Sequence, residues 1–145
     1  MNTPKAPLVE IHYKRPVLKH MPKICSSDDV YTYIKGVINL NRIDHKEFFW
    51  VILLNNANRV LGVSELSVGT TNGCMVNVKE VLQLALLSNS SSIVLIHNHP
   101  SGTLAFSESD YKITDKINKA CELCEIKVLD HLIITSEGYH AHSTE

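Results

Sequence analysis

Ile93-Val94-Leu95-Ile96-His97-Asn98-His99-Pro100-Ser101-Gly102 is the stretch on which the reading of this chain turns. Four apolar residues, three of them β-branched, follow the serine-rich segment Ser88–Ser92 and read as a short central strand buried on both faces. That strand delivers the chain straight into two histidines two positions apart, so polar side chains gather at a strand's C-terminal end. Both rings can turn to one side of the emerging loop if the backbone bends there, and Pro100 and Gly102 permit a bend.

Working outward, Val78–Leu87 carries apolar residues around Lys79, Glu80 and Gln83, as a largely buried helix does. On the other side, Ser107-Glu108-Ser109-Asp110 opens a helix with Ile113, Ile117, Ala120, Cys121 and Cys124 on one face, and its acids lie where the macrodipole favours them. Val128–Thr135 and Tyr139–His142 read as closing strands around a Glu137-Gly138 turn. Upstream, Glu47 opens the run Phe48–Leu54, a strand buried on both faces. A hairpin leads from it to a second strand over Val60–Val68, and a glycine- and threonine-rich break follows at Gly69–Gly73. Ser26–Asp29 offer caps for a first helix with Val30, Tyr33, Ile34, Val37 and Ile38 on one face. The proline-containing segment 1–25 is expected to be an arm or an edge strand, and 26–145 the folded domain.

A chain of 145 residues with 44% hydrophobic content suits one α/β or α+β domain with a single core. Fourteen basic against fifteen acidic side chains give a formal net charge of −1, so nucleic acid binding would need a local basic patch. Neither Phe48–Leu54 nor Val81–Leu87 is long enough to span a bilayer, so no membrane partner is expected. The start Met-Asn-Thr-Pro-Lys lacks the marks of a secretory signal, and the cytoplasm is the expected location. Cys25, Cys74, Cys121 and Cys124 are scattered in a chain able to fold without staples, so reduced thiols are expected.

The chemistry rests on a constellation. His97 and His99 offer two imidazole nitrogens, and Asp110, at a helix start, offers a carboxylate oxygen that completes a two-nitrogen, one-oxygen face for Zn2+. Three protein ligands leave a fourth position for water, which distinguishes catalytic zinc from closed structural sites. Glu47, on a strand expected to neighbour Ile93–Ile96, is the candidate general base, and Ser107 a candidate donor to an oxyanion on the substrate.

Other candidates have ordinary explanations. Cys121 and Cys124 sit at a redox or zinc-pair spacing, yet on a helix this spacing puts both thiols on the packed face, and no second pair closes a four-sulfur site. His140-Ala141-His142 repeats the His-x-His spacing without a following acid and reads as a frayed tail. His131 after Asp130 suits a structural role, or an outer partner of the site. Lys112, Lys116 and Lys119 form a solvated helix face rather than a phosphate-binding stripe.

His97-x-His99, seven residues, Ser107, two residues and Asp110, with Glu47 upstream, resemble the signature of the JAMM or MPN+ metalloproteases. Within that superfamily His97–Gly102 and Asp130-His131 resemble the RadC-like JAB domain group, with similarity from about Ser26 to about His140. The resemblance implies a cytidine-deaminase-like three-layer α/β/α fold with a mixed, mainly antiparallel sheet, zinc on the two histidines and the aspartate, and a catalytic glutamate. It implies cleavage of peptide or isopeptide bonds in a peptide or protein substrate. RadC-like proteins also carry a DNA-repair label, which makes a nucleic-acid accessory module or a metal-dependent nuclease the alternatives. The longer relatives begin with a helix-hairpin-helix segment, for which there is no room ahead of Ser26, so DNA binding through that module is not expected. Phe106 stands where the group often has proline, and Lys79-Glu80 where Arg-Glu is usual.

Overall fold

The computed structural model describes residues 2–68 and 76–145, so the break at Gly69–Gly73 and Cys74 lie outside the described residues. Five strands form one sheet: β1 (Phe49–Leu54), β2 (Val60–Leu66), β3 (Ser92–Asn98), β4 (Lys127–Thr135) and β5 (Gly138–Ala141), in the order β2-β1-β3-β4-β5. The β1–β2, β1–β3 and β4–β5 pairs are antiparallel, and only β3–β4 is parallel. A parallel pair needs a crossover, and helix α3 (Glu108–Leu123) supplies it.

The layers follow from period-two alternation along the central strands. Trp50, Ile52 and Leu54 of β1, with Val94 and Ile96 of β3, face α1 (Ser27–Val37) through Val30 and Ile34. Phe49, Val51 and Leu53, with Ile93 and Leu95, face α2 (Val78–Leu87) and α3 through Val81, Ala85, Ile117 and Cys121. Every residue of β1 and β3 is buried, as a strand covered on both faces requires. The result is a three-layer α/β/α sandwich with a mixed, mainly antiparallel sheet.

Local signals place the helices. Ser26 and Asp29 close a reciprocal capping box at the start of α1, Asn77 caps α2, and Ser107 with Asp110 repeats the box at α3. Residues 2–17 form no helix or strand, and Lys23 makes an isolated antiparallel bridge to Arg59 beside β2. No helix among the described residues is long and apolar enough to cross a membrane.

Three expectations are corrected. The central strand runs two residues further than its apolar core, to Asn98, because the ladder with β4 continues through His97↔Ile133 and Asn98↔Ile134. Glu47 is not on a strand: pairing with β3 begins at Phe49↔His97, and Glu47 sits two residues ahead in the connecting loop. The C-terminus is not frayed, since β5 pairs with β4 and a single 3-10 turn, His142–Thr144, follows. There the His142 ring packs at 5.5 Å from Phe106 and 5.7 Å from Tyr111.

Candidate metal centre

The pleat aims both histidines without a bend. His97 shares the face of Ile93 and Leu95, Asn98 turns to the opposite face, and His99 returns to the first. The bend comes afterwards, in the turn closed by the Gly102 N–H on the His99 carbonyl at 3.0 Å, where Gly102 takes φ of 83°. In the third dimension α3 brings its N-terminus against this strand end. The Asp110 carboxylate there lies 3.3 Å from His97 Nε2 through Oδ1 and 3.3 Å from His99 Nε2 through Oδ2. The two Nε2 atoms are 2.9 Å apart.

Asp110 serves two purposes. Its Oδ2 accepts the Ser107 backbone N–H at 2.8 Å while Ser107 Oγ accepts the Asp110 N–H at 3.1 Å, so the pair that starts the helix also fixes the carboxylate. A cap of this kind contributes about 1 kcal/mol to the helix. The motif spacing between Ser107 and Asp110 is thus the spacing a capping box demands.

Glu47 reaches the same place from the loop before β1. Its Oε1 lies 3.9 Å from His97 Nε2, and one ligand atom from each of Glu47, His97, His99 and Asp110 falls within 4.8 Å of the others. This is a group able to hold a metal ion. Asn98, which sequence reasoning passed over, holds that loop: its Oδ1 accepts the Phe48 N–H at 2.6 Å, and its Nδ2 donates to the carbonyls of Ile43 and Lys46 at 2.6 and 2.8 Å. Arg42 adds a second tie, a two-pronged contact with Glu65, and its guanidinium stacks on the Phe48 ring. The only sequence signal for Asn98 was its place between two ring-bearing residues, which sends it to the opposite face.

Electrostatics differ sharply across these few side chains. Burial pushes the Glu47 carboxyl above its ordinary range, against the opposing pull of His97 and His99. Burial works the same way on Asp110, but the hydrogen bonds from His97 and His99 overcome it and hold that carboxyl well below the usual range. The hydrogen bond with Asp110 in turn raises His99. Two neighbouring carboxyls are therefore driven apart, the pattern expected of a base beside a permanently charged ligand.

The donor atoms fit zinc. His99 Nδ1 lies 2.7 Å from the Thr103 carbonyl, which only accepts, so in the neutral ring the hydrogen is on Nδ1 and the lone pair on Nε2. Two imidazole nitrogens and a carboxylate on one side of a small space are a zinc-type donor set. That space opens into a cleft of about 360 Å³ lined by Glu47, His99, Ser101, Thr103, Ser107 and Asp110. Ser107 stands at its rim, and the described residues take no hydrogen bond from its hydroxyl.

The remaining candidates take other places. Cys121 is fully buried between the layers, and burial pushes its thiol up to about 11, which keeps it protonated and inert. Lys112 and Lys119 pair with Glu108 and Asp115 one turn earlier, which offsets two of the three positive charges of that face. His131 is only 1% exposed and touches His97 directly, and burial drives its pKa well down. Phe106 covers the cluster, with its ring centroid 6.0 Å from that of His97 and 5.2 Å from that of His131.

Comparison with known proteins agrees with this geometry. The RadC-like JAB domain family matches residues 24–145. A UPF0758 protein of Flavobacterium johnsoniae is 42% identical over 125 residues, covering 86% of this chain and 53% of the relative. A UPF0758 protein of Chlorobium phaeovibrioides is 33% identical over 131 residues, covering 90% and 56%. A third, from Desulforudis audaxviator, is 44% identical over 89 residues, covering 61% and 39%. The chain thus spans about half the length of the first two of these relatives. With a JAB-type domain and a Glu-His-His-Asp group able to hold a metal ion, the protein has the equipment of a metal-dependent hydrolase, and it belongs to the RadC-like JAB domain family.

Proposed function

We propose that this domain is a zinc-dependent peptidase or isopeptidase in which His97, His99 and Asp110 hold the ion and Glu47 is the general base. The observation that carries the reading is the unequal pair of carboxyls around two convergent Nε2 atoms, 3.3 Å for Asp110 and 3.9 Å for Glu47. Zinc bound at such a face supplies a Lewis acid and brings the pKa of water to about 7. Asp110, held charged, stays in place as a ligand. Glu47, with its pKa raised and one edge open to the cleft, is suited to take a proton from the attacking water and pass it to the leaving amine. Ser107, with its hydroxyl hydrogen free at the cleft rim, is suited to donate to oxygen as negative charge develops on the scissile carbonyl. The cytoplasm remains the proposed location, and a peptide or protein the proposed partner.

The reading is tested with internally quenched peptides and ε-lysyl isopeptides incubated with the zinc-loaded chain. Cleavage should disappear with chelator and fall about 10²–10⁴-fold in Glu47→Gln, the usual worth of a general base, with zinc still bound. Undiminished cleavage by that variant removes Glu47 as the base. Nicking of plasmid DNA without hydrolysis of any peptide would overturn the substrate class.

A further inference from the structure

Behind His97 lies a buried chain of polar groups that the proposed chemistry does not use. His131 Nε2 is 2.7 Å from His97 Nδ1, and on its far side His131 Nδ1 is 2.6 Å from Thr114 Oγ1. Thr114 Oγ1 donates at 2.7 Å to the backbone carbonyl of Asp110, one turn earlier in α3. The chain runs from β3 to β4 to α3 and ends on the residue that faces His97 across the metal centre.

Counting hydrogens gives it a direction. A threonine hydroxyl has one hydrogen, and here it lies on the Asp110 carbonyl, so Oγ1 is left to accept from His131 Nδ1–H. A neutral imidazole with its hydrogen on Nδ1 has a lone pair on Nε2, which accepts from His97 Nδ1–H. His97 is thereby left with its own lone pair on Nε2, the atom turned towards His99 and Asp110. If the hydroxyl turned to His131 instead, every hydrogen would move one place and Nε2 of His97 would be blocked. Thr114 and His131 are 4% and 1% exposed, and the rings of Phe49 and Phe106 stand 5.6 and 5.2 Å from that of His131, so water has little access to substitute for either.

We propose that His131 and Thr114 are positioning residues that set the tautomer and ring orientation of His97 for metal binding. This rests on the reading of His97, His99 and Asp110 as ligands, and not on the peptidase assignment. Outer partners of this kind typically contribute 10–100-fold to metal affinity.

The test is titration of Zn2+ against a competing chromophoric chelator with the full chain and with His131→Phe, His131→Gln, Thr114→Val and Thr114→Ser, each checked for fold by circular dichroism. Affinity should fall about 10–100-fold in His131→Phe and towards the lower end of that range in Thr114→Val. His131→Gln, which keeps an acceptor for His97, and Thr114→Ser, which keeps the hydroxyl, should stay within a few-fold of the parent. In the zinc-loaded parent, nitrogen NMR should find the His131 hydrogen on Nδ1. Should His131→Phe fail to fold, Thr114→Val, close to threonine in shape, decides. Parent-like affinity in Thr114→Val, or a hydrogen on Nε2 of His131, overturns the proposal. A parent that binds no zinc overturns the ligand reading and this inference with it, whereas normal zinc binding without peptide cleavage touches only the catalytic reading.

Discussion

The chain contains two His-x-His segments, and their fates differ. His97 and His99 leave a buried central strand facing the N-terminus of α3, where Asp110 meets both Nε2 atoms. His140 and His142 lie at the edge of the sheet, one on β5 and one just after it, and both pack against the Phe106 ring, with centroids 5.8 and 5.5 Å away. His140 pairs with Glu145 at 3.1 Å, and among the described residues no carboxylate bridges it to His142. Spacing alone brings two rings to one side of a strand in both cases. What makes one of them a donor set is a third element that presents an acid at the right depth, together with burial that leaves the nitrogens few other partners.

Exchanging the third element is the hardest blow to that contrast. Asp110→Asn removes the negative charge from the donor set while its amide oxygen can still accept the Ser107 N–H, and zinc affinity should fall by well over the 10–100-fold of an outer partner. His142→Ala, measured in the same chelator competition, should leave affinity unchanged. Equal losses in the two variants would erase the distinction between the segments.

Asn98 sharpens the comparison, because it belongs to the site's segment yet serves the opposite face. Asn98→Ala removes three hydrogen bonds, two of them buried, at about 1 kcal/mol each, so denaturant unfolding should show a loss of about 3 kcal/mol. Zinc should still bind, while cleavage falls because the loop presenting Glu47 is no longer tied. The alanine at the equivalent place in the other segment, Ala141, makes no such side-chain bond.

The smallest effect is the pH dependence of the metal-free protein. Asp110, depressed on folding, contributes stability that is present above the unfolded carboxylate pKa of about 3.9 and is lost as pH falls. His99, raised on folding, contributes stability that is fully present below about 6.5 and is lost as pH rises through its folded value. His131, held neutral by burial, works in the opposite sense below about 6.5, so the Asp110–His99 coupling is read in thermal unfolding as the stability difference between the parent and His99→Ala, which should be largest between about pH 4 and 6.5. Zinc requires unprotonated imidazoles, so its added stabilisation should grow from pH 5.5 to pH 8, a trend opposite to that of the bare site. A parent-minus-variant difference that grew steadily to pH 8 would contradict the Asp110–His99 coupling.

Much of the fold was legible because its signals are local. The continuous apolar runs at Phe48–Leu54 and Ile93–Ile96, the helical spacing at Val78–Leu87 and the box at Ser107 and Asp110 each lie within a few residues, and each element formed where its pattern stood. The errors came where pairing outranked composition. His97 and Asn98 are polar yet belong to β3, because ladder bonds to β4 are made by the backbone whatever the side chain. The closing strand expected at Tyr139–His142 formed as β5, and the frayed end expected for His140–His142 did not, because β4 offered that segment an edge.

By itself, then, the sequence determined the strands, the helix starts, and the residue types able to hold a divalent cation, since alternation and capping act over short separations. Tertiary structure decided which groups meet: Asn98 with the Glu47 loop across about fifty residues, His97 with His131 across 34, and His131 with Thr114 across 17. Those contacts depend on how β3, β4 and α3 pack, and no pattern along the chain encodes a distance between side chains that only the folded sheet brings together.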